Sequence, residues 1–182
     1  MCSDRARGSL LLQAPTADLR ESYRSLIAEL DAGRERKIPF PLSFPFEDFE
    51  ALLARLRDNS NGIGLPDGFV PHSTFWLVRD GGEIVGVSNL RHRLNETLAR
   101  EGGHIGYGIR PSARRNGYGR EILKQTLRRA GGIGIERALV TCGKQNVGSA
   151  KVIVGNGGEF ESEEFCAERG EVVQKYWIRI GT

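Results

Sequence analysis

The sequence predicts an α/β fold, a mixed α+β sheet with helices on both faces. Three observations point there. First, a strand-like run from His104 to Arg110 crosses a glycine-containing loop into an amphipathic helix, and a largely apolar strand follows at Arg137 to Cys142. Strand–helix–strand units of this kind lay helices against a sheet, and an apolar run with little alternation suits a strand covered on both faces. Second, Asp80-Gly81-Gly82 is a hairpin turn between two β-rich runs. Third, apolar residues recur at helical spacing in two segments of the first third of the chain.

In chain order, Ser9 to Gln13 reads as a short first strand. Pro15 and Thr16 punctuate it, with Thr16 as N-cap of a helix carrying Leu19, Tyr23, Leu26, Ile27 and Leu30 through Asp31. Gly33 ends that helix. Gly33 to Pro45, with Pro39, Pro41 and Pro45, is irregular; it either connects across a surface or closes over a substrate. A second helix runs from Phe46 to Arg57 on a stripe of Phe49, Leu52, Leu53 and Leu56, and Asn59 to Gly68 is a loop. Phe75 to Arg79 and Glu83 to Leu90 form the hairpin. Arg91 to Glu101 is polar, with weak helical character at Leu94 to Leu98.

The central strand, His104 to Arg110, is interrupted by Gly106 and Gly108, and a glycine inside a strand often marks a bulge or a close backbone approach. The helix of Gly117 to Ala130 buries Ile122, Leu123, Leu127 and Ala130, and Gly131-Gly132 terminate it. Asn146 caps a short helix through Val154, stopped by Asn156-Gly157-Gly158. Glu159 to Phe165 and Glu171 to Ile180 are the last two strands.

Composition narrows the function class. At 182 residues, 39% apolar and 27% charged, the whole chain, 1–182, reads as a single domain with a sizeable core. The net charge of +3 is too mild for a nucleic-acid binder. Cys2, Cys142 and Cys166 show no C-x-x-C spacing, which argues against a disulfide framework or a metal site and fits a reduced, cytoplasmic protein. The N-terminus has no apolar run of signal-peptide type, and nothing is long enough to span a membrane, so no membrane partner is expected. The sequon at Asn95-Glu96-Thr97 is accidental on this reading. Gly117-Tyr118-Gly119 starts a G-x-G, but Ile122 stands where a dinucleotide fingerprint needs its third glycine.

The stretch with most chemistry is Gly103 to Gly119. A strand that feeds a glycine turn and a helix start makes an anion site, because the first N–H groups of a helix lack partners and lie at the positive end of its dipole. Arg114-Arg115-Asn116-Gly117-Tyr118-Gly119 resembles the R/Q-x-x-G-x-G/A signature of the GNAT superfamily of acyl-CoA-dependent N-acetyltransferases. The flanking strand and helix, the 75–90 hairpin and the Asn146 to Gly158 element are similar too, so the resemblance covers roughly residues 72 to 165.

The resemblance implies a GNAT fold with acetyl-CoA as cosubstrate and an amine acceptor. It implies that Arg115, Asn116, Gly117, Tyr118 and Gly119 offer backbone N–H groups to the CoA pyrophosphate, with charge from Arg114 and Arg120. It implies a bulge in the central strand that frees main-chain groups of Tyr107, Gly108 and Ile109 for the thioester arm. Asn146 and Ser149 would contact the pantetheine or lie near it. A tyrosine that protonates the departing thiolate in many members is absent, since Ile153 stands at that position. Ser149, Tyr107 and Cys142 remain as alternatives, although Cys142 reads first as a packed core residue. Transfer also needs a neutral amine, and the candidate bases are Glu101, His104 and His92. Direct transfer in a ternary complex is expected, with an amine acceptor the sequence does not identify, and a homodimer through the C-terminal strands is the family habit. The competing reading is a CoA-binding sensor of the same fold without catalysis.

Overall fold

The computed structural model describes residues 9–181; Cys2 and the N-terminal segment read for a signal lie outside the described residues. The elements are β1 (Leu10–Gln13), α1 (Arg20–Ala32), α2 (Phe49–Asn61), β2 (His72–Arg79), β3 (Glu83–Arg91), β4 (Ile105–Ile109), α3 (Tyr118–Gly132), β5 (Arg137–Gly143), α4 (Val147–Val154), β6 (Gly158–Cys166) and β7 (Glu171–Arg179). The α/β class is the one expected. The strands, however, fall into two sheets, β1-β2-β3-β4 and β5-β7-β6, and every hydrogen-bonded pair within them is antiparallel.

Helices cover both faces of the first sheet. Strand alternation sends Trp76 and Val78 to one face and Leu77 to the other. Tyr23, Leu26, Ile27 and Leu30 of α1 pack with Phe49, Leu52 and Leu56 of α2 on the first of these, around Trp76, Ile84 and Val87. The Tyr23 ring stacks on Trp76 with centroids 5.2 Å apart. On the opposite face Ile122 of α3 packs with Leu12, Leu77 and Val85. Leu123, Leu127 and Ala130 reach Leu90 and Ile105 on one side and Val140 and Ile178 on the other. One helix thus ties the two sheets together through its apolar stripe, and each fully buried aliphatic chain in it stabilises by about 1.5–3 kcal/mol.

Several boundaries differ from expectation, each for a local reason. Thr16 makes no side-chain cap; a 3₁₀ turn at Ala17–Leu19 precedes α1 instead. The second helix begins later and ends later than expected. Asp48 caps it by accepting from the Ala51 N–H at 3.0 Å, and Gly62 ends it at φ 75°, so Asn59 is a buried helical residue. Gly131 and Gly132 continue α3, and the backbone reverses only at Gly134, φ 85°. The 33–45 segment contains a 3₁₀ turn at Phe40–Ser43, and a π-helical turn at Leu98–Gly102 precedes β4.

The expected bulge in β4 is not there. Its register against β3 runs without a shift from Leu90↔Ile105 to Gly86↔Ile109; the irregularities lie at Leu77/Val78 and Phe160/Ser162. Gly106 and Gly108 answer instead to a close approach. The 38–39 backbone lies on that face of β4, and a Cβ on Gly108 would run into the Ile38 carbonyl oxygen.

Candidate active site

The site is built where the two sheets meet and part. The His104 N–H donates to the Leu139 carbonyl at 2.7 Å, and the Leu139 N–H donates to His104 Nδ1 at 2.9 Å. Beyond that foot β4 and β5 carry no ladder hydrogen bonds to each other among the described residues. Tyr107, further along, packs with Cys142, further along β5, so the strands run the same way and open toward their C-terminal ends.

Register fixes which groups face the opening. The Arg91 N–H donates to the His104 carbonyl and the Arg110 N–H to the Val85 carbonyl. Alternation from those two bonds turns the main-chain groups of Gly106 and Gly108 to β3 and those of Ile105, Tyr107 and Ile109 to the open edge. Of the three residues expected to present main chain here, Tyr107 and Ile109 do so and Gly108 does not. Gly108 contributes its missing side chain. The Ile109 carbonyl accepts from Arg114 Nε at 3.2 Å.

The open end is closed by the start of α3. Pro111 to Ala113 form a 3₁₀ turn, Arg115 takes φ 63°, and Gly117 takes φ 83° as N-cap without any side-chain cap. The N–H groups of Arg115, Asn116, Gly117, Tyr118 and Gly119 find no acceptor among the described residues. Five unpaired donors at a helix N-terminus form an anion cradle. A Cβ at Gly117 would meet nothing, so the glycine serves the left-handed turn. At Gly119 a Cβ would sit 3.2 Å from Val152, so that glycine seats α3 against α4. Asn116 folds back through its amide onto the Ala113 and Arg114 carbonyls, both at 3.1 Å. Arg115 and Arg120 stay exposed. Arg114 is committed elsewhere: its guanidinium grips Glu35 with both terminal nitrogens.

Across the opening, Asn146 Oδ1 caps α4 by accepting the Ser149 N–H at 3.0 Å. Tyr107 Oη donates to Ser149 Oγ at 3.3 Å. Burial pushes the Tyr107 phenol up to about 12, the bond to Ser149 working against that, so the hydroxyl keeps its proton at neutral pH. Ile153, at the position of the absent tyrosine, is fully buried in the core. Cys142 is buried and burial raises its thiol pKa, as for a packed residue.

The candidate bases are engaged. His104 is buried, its Nδ1 accepts from Leu139, and burial together with the nearby Arg91 charge lowers it to about 4. It is the strap between the sheets. Glu101 pairs with Arg100 at 3.1 Å, and hydrogen bonds from Cys166 and Arg100 hold its carboxyl below the usual range. With these partners it lines a depression formed with Glu164 to Glu168 at the tip of the β6–β7 hairpin. His92 bonds Ser73 Oγ at 2.8 Å, and burial lowers its pKa. The sequence sets the run Arg91-His92-Arg93 at the border of the acceptor pocket or in solvent; the register turns the Arg91 side chain to the face of Gly106, where its Nη1 donates to the Gly102 and Gly103 carbonyls at 3.1 and 3.3 Å.

Among the described residues no group of three or more His, Cys, Asp or Glu is placed to hold a metal, and no helix is long and apolar enough to cross a membrane. The acetyltransferase (GNAT) family model matches residues 30–154. No curated protein matches the chain. Among solved structures, an acetyl transferase of Salmonella typhimurium that modifies the N-terminal serine of a ribosomal subunit protein superposes with TM-score 0.66 at 17% identity, over 95% of this chain and 96% of that one. A dodecameric spermidine N-acetyltransferase from Vibrio cholerae gives 0.61 at 16% identity, covering 93% of each chain. A microcin C7 self-immunity acetyltransferase in complex with acetyl-CoA and AMP gives 0.68 at 16% identity, over 94% and 92%. At such identities the likeness concerns the fold, but the family model spans more than half of the sequence, so the chain belongs to the GNAT acetyltransferase family.

Proposed function

We propose that this protein transfers the acetyl group of acetyl-CoA to a primary amine by direct attack in a ternary complex. The observation that carries the reading is the row of five unpartnered N–H groups from Arg115 to Gly119, set beside the open edge of β4. The pyrophosphate lies in that cradle, with Arg115 and Arg120 adding charge, and the pantetheine runs along the Tyr107 and Ile109 edge toward Ser149. A CoA-binding role matches the relatives solved with coenzyme A or acetyl-CoA.

In the transfer, the amine nitrogen attacks the thioester carbonyl carbon. The new N–C bond forms, the C–S bond breaks, and CoA leaves as thiolate while the amine's extra proton passes to solvent. Tyr107 takes the place of the absent acid. A phenol that stays protonated hydrogen-bonds the departing sulfur, and a thiolate leaves readily enough that full protonation in the transition state is not required. With His104 and Glu101 engaged, the amine arrives neutral by its own ionisation.

A non-catalytic CoA sensor is the second reading, favoured by the burial of Ile153 where a proton donor would stand. Isothermal titration with acetyl-CoA, on wild type and on Gly117→Glu, tests the cradle. We expect micromolar binding in the wild type and its loss in the variant, whose side chain enters open space at little cost to folding beyond the strained turn, about 1 kcal/mol. Absence of binding in the wild type sinks both readings. Binding without thiol release across an amine panel selects the sensor.

A further inference from the structure

The gap between β4 and β5 has two sides, and they carry different chemistry. The Leu139 main chain bonds His104, so strand alternation turns the main-chain groups of Thr141 and Gly143 toward the same gap. Side chains alternate the other way. Cys142 packs on the helix side with Tyr107 and Ile153. Thr141 faces the opposite side, where its Oγ1 donates to the Glu101 carbonyl at 2.8 Å. On that opposite side Ile38 and Pro39 cover the β4 glycines. The β5 border of the gap there is Gly143, four residues past Leu139 as Gly108 is four past His104.

A carboxylate lies on that border. Glu171 opens β7, and its side chain folds over Gly143 so closely that a Cβ there would run into Oε2. The missing side chain of Gly143 is what lets the carboxylate reach β5. Arg169 holds it from behind: Nε and Nη2 both donate to Oε1, at 2.9 and 2.5 Å, while Nη1 reaches the Glu101 carbonyl at 3.4 Å. A guanidinium that spends two donors on one oxygen fixes the carboxylate and leaves the other oxygen unused. Oε2 bonds to nothing among the described residues and is open to solvent, the side chain being 37% exposed. Glu101 differs, since its carboxylate is taken by Arg100 and Cys166. Tyr107 and Glu171 therefore stand on opposite sides of one gap, a protonated phenol on the first and a free carboxylate oxygen on the second.

We propose that Glu171 is a catalytic residue: its Oε2 receives the acceptor amine at the gap and takes the proton that the nitrogen must shed. The assignment rests on the acetyltransferase reading. The amine enters neutral, and its lone pair forms the N–C bond, which leaves the nitrogen positively charged. Oε2 accepts one N–H proton, and the electron pair of that bond returns to nitrogen. The C–S bond then breaks, and the thiolate departs beside Tyr107. The carboxyl group passes its proton on to solvent, which its exposure permits, and Arg169 returns it to the starting geometry. Proton removal matters because the charged intermediate otherwise expels the amine again.

The test is a thiol-release assay with acetyl-CoA and a panel of primary amines (free amino acids, spermidine and a short peptide with a free N-terminus), on wild type, Glu171→Gln, Glu171→Asp and Gly143→Ala. Glu171→Gln keeps an oxygen for Arg169 but cannot take a proton. We expect its kcat to fall by about 100-fold, with KM for the amine and Kd for acetyl-CoA within about threefold of wild type, the pattern of an interaction made in the transition state. Glu171→Asp should recover part of the rate. Gly143→Ala retains the carboxylate and displaces its flexible end from β5; kcat should fall by about 10–100-fold at a Tm near wild type. An unchanged kcat in Glu171→Gln, a parallel loss of kcat, acetyl-CoA affinity and Tm in both Glu171 variants, or full activity in Gly143→Ala each overturn the assignment while leaving the acetyltransferase reading intact. A wild type that turns over no amine of the panel overturns both together.

Discussion

At the scale of single residues, the site depends on atoms that are missing as much as on those present. Gly108→Ala places a methyl against the Ile38 carbonyl, so the 38–39 segment must move off β4. Overpacking of this kind costs about 1–3 kcal/mol. We expect a Tm several degrees lower, while titration with acetyl-CoA shows little change, because the cradle begins beyond Arg110. Tyr107→Phe isolates the proton-donor role. Its main-chain groups remain on the edge, so acetyl-CoA affinity should hold within about threefold while kcat falls by about 10–100-fold. An unchanged kcat would leave thiolate departure without help from Tyr107.

At the scale of elements, two buried histidines set the pH range of the fold. His72 and His104 both lie in β-sheet surroundings that bury the ring, and each is lowered from 6.5 to about 4. Between those values the unfolded chain binds a proton that the folded chain refuses. Stability is therefore complete above about pH 6.5 and is lost as pH falls toward 4, by up to ~1.4 kcal/mol per pH unit for each ring. Calorimetric Tm values at pH 7, 6, 5 and 4 should fall steadily. His104→Asn should flatten part of that fall while loosening the β4–β5 foot. The same depression removes both rings as bases near neutrality, so kcat/KM should climb with pH along the amine's own ionisation, with no inflection near 6.5; such an inflection would restore a histidine base.

How much of this was legible follows from range. The cradle was readable because its causes are local: a glycine turn, a helix start and exposed arginines lie within six residues. The hairpin was readable from its Asp80-Gly81-Gly82 turn, and the stripes of α1, α2 and α3 by periodicity. The role of Gly108 was not, because its cause is Ile38, seventy residues away, and a glycine in a strand looks the same whether it makes a bulge or room. His104 was offered as a base because sequence shows an imidazole but not the Leu139 N–H that occupies it. Arg114 had looked free for phosphate for the same reason, its Glu35 partner being remote. The ends of α2 and α3 were misjudged where glycine or asparagine could either stop a helix or sit within it.

At the scale of the whole molecule, the cradle is held in place by one buried ionic knot. Arg110 follows β4 directly and is 4% exposed. Its Nε meets Glu29 of α1 at 2.5 Å, its Nη1 meets Glu83 of β3 at 3.2 Å, and Nη2 bonds Ser25. Glu29 also accepts from the Ser112 N–H and Oγ, both at 3.2 Å, so the start of the loop before α3 hangs on the same carboxylate. Burial would raise the Glu29 pKa, but the bonds from Arg110 and Ser112 outweigh it and hold the carboxyl below its usual value. That stabilisation is present above about pH 4.5 and lost as pH falls below it. Breaking one side of a buried pair costs about 3–5 kcal/mol; the carboxylates here keep roughly a third of their exposure, so Arg110→Met should cost less, about 2–3 kcal/mol. Arg114→Ala removes an exposed pair with Glu35 and should cost at most about 1 kcal/mol. The two variants therefore separate stability from charge. Arg110→Met should lower both Tm and acetyl-CoA affinity, because α1, β3 and the loop lose their common anchor. The double variant Arg110→Met/Glu29→Met should recover much of the Tm by leaving no unpaired charge, but little of the affinity, since Ser112 has still lost its carboxylate. Recovery of both would mean that the knot supports the fold alone and that the cradle forms without it.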